Sequence, residues 1–381
     1  MILRPYGVVL DGRLELGLEL VLHDGKILEV RPHTGIPEDF IVSPAFVNAH
    51  SHLEYRGLMG AISEDSYWPW IREITRLKAL QTPESVRHDC QVAARENRLA
   101  GVAWIGEHSD RPFAARALED EGIGGMVFQE LITFLEQDSP AAKIAATKAR
   151  AVAQATEFSG DVFLSPHAPY TVDAETLVRF KDGQPFSIHV AETESENEFF
   201  QTGNGVIGEF FRHNGFSPAV CGLTSVGFLS VHGLVRTGAQ FVHCCAVSED
   251  DLQTMSAHGV TVAHCPRSNK ALGCPPAPVR EMLDSGIDVG LGLDSAASSG
   301  PIDMFEEMRE AIVASRDRYA PISAEECWLM ATNMGARSLW KSGWAIAKDS
   351  TTPLIKIHFS SAHTTQDLIE KAKPSEIEWV R

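Results

Sequence analysis

The sequence predicts an α/β protein: a (β/α)8, TIM-like barrel flanked by a small β-sandwich that both ends of the chain build. Three observations predict it. Between Pro44 and Leu339, short apolar runs alternate eight times with stretches of helical length. From Met1 to Ser43 the chain instead carries closely spaced strand-like segments joined by turn dipeptides. Histidines and acids recur at or just past the carboxyl ends of the apolar runs, the face on which barrels of this kind place their chemistry.

In order from the amino terminus, Tyr6 to Leu10, Leu16 to Leu22 and Lys26 to Val30 have strand character, with turns at Asp11-Gly12 and Asp24-Gly25. A small antiparallel sheet is expected there. The eight barrel runs are Phe46 to His50, Val102 to Gly106, Gly125 to Glu130, Val162 to Pro166, Phe186 to Val190, Gln240 to His243, Val260 to His264 and Ile287 to Asp294. Such a barrel typically takes about 250 residues, so the span leaves room for insertions. Helix starts stand between the runs: Thr82-Pro83, Ser139-Pro140 and the capping box from Ser323 to Glu326. After Leu339 short Gly- and Thr-containing segments return, and Pro353 to Phe359 is expected to join the amino-terminal sheet. The expected division is 1–43 with 340–381 for the sandwich and 44–339 for the barrel.

Composition narrows the function. The 381 residues carry 33 Lys+Arg against 51 Asp+Glu, a formal charge of -18. That field repels phosphate backbones and anionic headgroups, so neither nucleic acid nor a membrane surface is an expected partner. Seven cysteines without a C-x-x-C pair suggest neither a disulfide framework nor a zinc knuckle. The opening MILRPYGVVLDGRLELG lacks the apolar run of a signal peptide, and no stretch approaches about 18 consecutive apolar residues. A cytoplasmic protein with reduced thiols is expected. Composition leaves the oligomer open and is compatible with a homodimer.

The polar residues at strand ends carry the functional signal. His50 and His52 are two apart on a strand and share a face, so both imidazoles can meet one ion over the barrel mouth. Chance alone places about 0.6 His-x-His pairs in such a chain, so the pair means little without its neighbours. His189 ends FSIHVAE and reads either as a third ligand, with Glu192 turned back toward the same ion, or as part of a capped strand with a solvated acid. Asp294 ends VGLGLD and reads either as a carboxylate facing His50 and His52 or as the N-cap of the next helix. His243 closes QFVHC ahead of a helix start at VSEDD, as a site residue or a satisfied core histidine. His264 reads as a contact in the HCPRSN loop.

At this point the segments SPAFVNAHSHLEYRGLMG, SPHAPYTV, HVAETESE, VHCCAVSEDD, AHCPRSNKALG and GLGLDSAASSG, followed by ATNMGARSL, resemble the amidohydrolase superfamily. The similarity is to its mononuclear-metal aminohydrolase branch of guanine, cytosine, adenosine-type and triazine-type deaminases and chlorohydrolases. It implies that His50, His52, His189 and Asp294 hold one divalent metal ion, zinc by preference, with iron or manganese also compatible with N/O ligands. It implies that His243 and Glu192 handle protons, with Asp294 sharing the attacking water. Binuclear relatives carry a carboxylated lysine at the fourth strand, whereas Leu164-Ser165-Pro166-His167 has none, which favours a single metal. His167 resembles a substrate-side residue and Trp70 of YWPWI an aromatic wall of the pocket. Arg267 and Asn269 are candidate substrate contacts, or braces of the loop after the seventh strand.

The implied reaction is hydrolytic deamination of a purine-like heterocycle, of adenine or guanine nucleoside type or aminodeoxyfutalosine, with release of ammonia. A ring-amide or halide hydrolase is the alternative on the same scaffold, and a non-catalytic paralogue the less favoured one. Two departures stand out. Arg76-Leu77-Lys78-Ala79 lacks the acid that some nucleoside-acting relatives use for ribose, and the tail SGWAIAKDSTTPLIKI lacks their usual ending, which predicts a degenerate accessory sheet.

Overall fold

A computed structural model describes residues 1–134, 139–218, 220–359 and 361–380. Eight parallel strands organise its larger part: β1 (Phe46–Ser51), β2 (Val102–Ser109), β3 (Gly124–Leu131), β4 (Asp161–Pro166), β5 (Phe186–Val190), β6 (Ala239–His243), β7 (Thr261–His264) and β8 (Val289–Leu291). Each coincides with one of the eight apolar runs, within a few residues at either end. β1, β5 and β6 are buried along their whole length, as strands covered on both faces must be, and this is why they read as continuous apolar runs.

The strands form two parallel arcs, β4-β3-β2-β1 and β5-β6-β7-β8. Hydrogen bonds stitch the arcs at both seams. Between β1 and β8, Asp294 N–H donates to His50 O at 2.9 Å, His52 N–H to Asp294 O at 3.1 Å, and Leu293 N–H to the Asn48 side-chain oxygen at 2.9 Å. Between β4 and β5, Ser187 N–H donates 2.9 Å to Ser165 Oγ, and His189 N–H 3.0 Å to His167 O. The last run is expected as far as Asp294, but the ladder ends at Leu291: Asp294 has φ 50° and its backbone turns across to β1. The register between β1 and β2 also shifts between Asn48 and Ser51, a bulge beside His50.

Helix starts follow the local signals. The Thr82 hydroxyl accepts from Ser85 N–H at the head of Pro83–Leu99, Ser139 caps Pro140–Ala155, and Ser323 and Glu326 form their reciprocal box. Among the described residues no helix is long and apolar enough to cross a membrane.

Both chain ends meet beside the arcs. One sheet runs Ile377–Trp379, Leu354–Ile357, Glu38–Pro44, Pro5–Leu10, Arg13–Leu16, and a second runs Ile2–Leu3, Leu18–His23, Lys26–Pro32. They share an apolar cluster that includes Val8, Leu20, Leu22, Ile27, Phe40 and Val42. The single strand expected from Leu16 to Leu22 is divided between the two sheets. Gly17, at φ 78°, breaks it with a conformation that costs a residue with a Cβ about 1–2 kcal/mol. Despite the missing family ending, the tail pairs from Leu354↔Pro44 to Ile357↔Ile41 and adds an edge strand.

Candidate metal and proton-transfer site

The strand ends converge on a cluster of imidazoles and carboxylates. The ring centroids of His50, His52 and His189 lie 4.9, 5.0 and 5.5 Å apart. Asp294 Oδ1 is 3.6 Å from His50 Nε2 and 3.9 Å from His52 Nε2. The other carboxylate oxygen, Oδ2, accepts from Ser268 Oγ at 2.5 Å and Ser298 Oγ at 3.2 Å. The carboxylate is thus anchored through one oxygen and presents the other to the histidines. Asp294 is not the N-cap of the following helix: Ser295 takes that place, accepting from Ser298 N–H.

The electrostatics fit a cation. Burial alone would raise the Asp294 carboxyl, but the close approach of His50, with His52 and His243, outweighs it and holds Asp294 well below the usual range. Burial, with the mutual repulsion of the rings, pushes His50 and His52 well down, so both are neutral and offer lone pairs. Both ring nitrogens of His50 and Nδ1 of His52 are buried without a hydrogen-bond partner. His189 Nδ1 lies 2.8 Å from His167 O, which fixes the proton on Nδ1 and leaves Nε2 bare, as a metal-binding imidazole requires. Ligand-capable atoms of His50, His52 and Asp294 lie within 4.8 Å of one another. Neutral imidazoles and one ionised carboxylate at this spacing form a site for a divalent metal ion.

Glu192 and His243 stand beside it. Ala191 adopts φ 50°, a left-handed turn after β5 that brings Glu192 back over the strand end, and its N–H donates 3.0 Å to the buried Glu196 Oε1. Burial pushes Glu192 up to about 7. Its Oε2 accepts from Tyr67 O–H at 2.8 Å, and its Oε1 is 3.5 Å from His243 Nε2. His243 Nδ1 lies 2.8 Å from Asn269 Oδ1, so the proton is on Nδ1 and Nε2 is free to accept one. His243 and Cys244 carry φ 70° and 51°, backbone strain of the kind that gathers at functional strand ends.

The remaining candidates separate. Asn269 spends Oδ1 on His243, while its Nδ2 is buried without a partner. Arg267 donates to the carbonyls of Ser299 and Pro301 and lies 3.8 Å from Glu307, which ties the loop after β7 to the loop after β8. His167 packs its ring 4.9 Å from His189 and pairs Nδ1 with Thr171 Oγ1 at 2.9 Å. Trp70 is buried in the main apolar cluster, on the helix Tyr67–Lys78. His264 is buried with both ring nitrogens unpartnered and is pushed down to about 3 by burial and by His243.

Three residues at the cluster escape sequence reasoning. Tyr67 reaches Glu192 from a helix 125 positions away in the chain, and its O–H lies 3.4 Å from that of Tyr170. His108 ends β2, with Nδ1 3.4 Å from Glu130 Oε1 on β3. Both sit at strand ends, and that position is the signal that could have found them.

The sequence profile of the amidohydrolase family matches residues 41–341. A 5-methylthioadenosine/S-adenosylhomocysteine deaminase of Pelotomaculum thermopropionicum is 28% identical, over 94% of this chain and 83% of its own. A 5'-deoxyadenosine deaminase of Methanothrix thermoacetophila is 28% identical, over 87% and 79%. In fold, the crystal structure of an adenosine deaminase from Xanthomonas campestris with bound zinc superposes with a TM-score of 0.85 at 22% identity, covering 99% of this chain and 90% of that one.

Proposed function

The chain belongs to the amidohydrolase family, and from that membership we propose that it is a metal-dependent hydrolytic deaminase of a 6-aminopurine nucleoside, releasing ammonia. The observation that carries this reading is the pairing of Glu192, near neutral in its titration, with the bare Nε2 of His243, 3.5 Å apart beside the His-Asp cluster. The names of the similar proteins, which refer to 5-methylthioadenosine, S-adenosylhomocysteine and 5'-deoxyadenosine, support an adenosine-type substrate.

His50, His52, His189 and Asp294 would hold the metal, with zinc favoured by the zinc-bound structural neighbour. Bound there, a divalent ion acts as a Lewis acid that lowers the pKa of water from about 15.7 toward about 7. His243 Nε2, with the charged Asp294 beside it, holds the attacking water and takes its proton as oxygen adds to the carbon bearing the amino group. Glu192 in its protonated form, which its raised pKa keeps populated near neutral pH, gives its proton to the neighbouring ring nitrogen and so makes that carbon electrophilic. Transfer of the collected proton to the amino group lets ammonia leave as the new hydroxyl gives its remaining proton to the Glu192 carboxylate, which yields a lactam carbonyl and restores the acid. Tyr67 holds the Glu192 carboxyl in place, and Asn269 holds the tautomer of His243.

Trp70, His167 and the free Nδ2 of Asn269 are the proposed substrate contacts, and Arg267 is assigned to bracing its loop. The sandwich from 1–43 with 340–381 is proposed as an accessory unit, and the reduced cysteines fit a cytoplasmic enzyme. The test is ammonia release across adenosine, 5'-substituted adenosines, free aminopurines, pterins, cytosine and chloro-s-triazines. Ammonia from the nucleosides supports the reading; chloride release or ring opening without ammonia overturns it in favour of a halide or ring-amide hydrolase.

A further inference from the structure

His108 is a buried imidazole that the proposed reaction leaves without work. Its ring centroid lies 4.4 Å from that of His50, 5.3 Å from His189 and 5.7 Å from His52. Those separations bracket the 4.9 to 5.5 Å found among the other three rings. Ligand-capable atoms of His50, His108 and His189 lie within 4.8 Å of one another. The tautomer is fixed as well. Nδ1 faces the Glu130 carboxylate at 3.4 Å, which places the proton there, and Nε2 is buried with no partner in the protein. A carboxylate behind one nitrogen and a bare lone pair on the other is how metal-binding imidazoles are oriented.

We infer that His108 Nε2 is a fifth protein ligand of the metal, with Glu130 as its positioning residue. The centre then offers four imidazoles and one carboxylate. This goes beyond the ligand set assigned above and rests on the metal-dependent reading. A nitrogen-rich set of this kind selects first-row metals such as zinc or iron over magnesium or calcium, which prefer oxygen.

The experiment compares wild type, His108→Phe and Glu130→Gln. Each is stripped of metal, checked for folding by circular dichroism, and titrated with Zn²⁺ against a chromophoric chelator. Each is then loaded with Co²⁺ for its visible absorption. The expected results are one ion per chain in wild type, affinity lower by more than about 100-fold in His108→Phe, and a loss of about 10- to 100-fold in Glu130→Gln. The weak Co²⁺ bands of a crowded centre strengthen as an imidazole is lost. If His108→Phe does not fold, Glu130→Gln, which preserves shape, carries the test. Unchanged affinity and spectrum in the folded variants overturn the fifth ligand alone, and so do two ions in wild type that fall to one in His108→Phe. A wild type that binds no divalent ion overturns the metal-dependent reading with it.

Discussion

Replacing Asn269 by leucine removes the oxygen that decides which nitrogen of His243 carries the proton. Burial pushes the pKa of His243 down, so the ring is neutral and has a single N–H. That N–H is Nδ1, 2.8 Å from Asn269 Oδ1, and Nε2 is bare, 3.5 Å from Glu192. Leucine has similar volume and accepts nothing, so Nδ1–H is left buried and unpaired at a cost of about 1–3 kcal/mol. The ring escapes that cost by moving its proton to Nε2, the atom that must receive one. At about 1.4 kcal/mol per tenfold, the competent tautomer falls about 5- to 150-fold and kcat falls with it, while loss of the proposed Nδ2 contact raises KM separately. Steady-state ammonia release measures the effect, with metal content determined on the same samples. Asn269→Asp keeps the acceptor and restores kcat. Its carboxylate also raises the pKa of His243, and because the base must be unprotonated, the acid limb of kcat/KM moves to higher pH. Unchanged kcat in Asn269→Leu, or metal lost in step with activity, refutes the argument. A rise in KM alone would make Asn269 a substrate contact and nothing more.

The other expectations are simpler. Glu192→Gln keeps the bound metal and loses about 10²- to 10⁴-fold in kcat, read by ammonia release and metal analysis; full turnover on a proven substrate removes Glu192 from proton transfer. His50→Ala or Asp294→Asn loses both metal and activity, and a chelator reproduces the loss in wild type until Zn²⁺ is returned. Tyr67→Phe deletes the hydrogen bond that stabilises the ionised Glu192. Its pKa then rises above about 7 by about 1–2 units, and because the acid must be protonated, the alkaline limb of kcat/KM moves up in pH by that amount. Gly17→Val forces a β-branched residue to φ 78° and lowers unfolding free energy by about 1–2 kcal/mol in urea titration, with the catalytic rate unchanged.

What the sequence discloses about this site follows from how each residue reaches it. His50, His189 and His243 arrive on their own strands and His52 and Asp294 just past theirs, so a two-residue period and a position at a strand end are enough to bring them forward. Tyr67 arrives from a helix that follows a loop, and no local pattern says that its hydroxyl meets Glu192. Asn269 shows the same limit differently: its loop is legible as part of the site, but which of its two amide ends is already taken by His243 depends on where β6 lies beside it. Gly17 is legible as a glycine but not as the point where one strand becomes two, because that depends on which of two sheets has a free edge.

The same reasoning explains why the metal cluster lies where β1 meets β8. There, as between β4 and β5, the ring of strands lacks a ladder, and the backbone of Asp294, at φ 50°, bonds to His50 and His52 instead of continuing its own strand. The bonds that close the seam are therefore the bonds that bring the carboxylate to the histidines. A substitution that straightens Asp294 into β8 would lengthen the strand and separate the donor set in one step. The seam's strain is kept because the backbone bonds and the Ser268 and Ser298 hydroxyls over-determine the position of a single side chain.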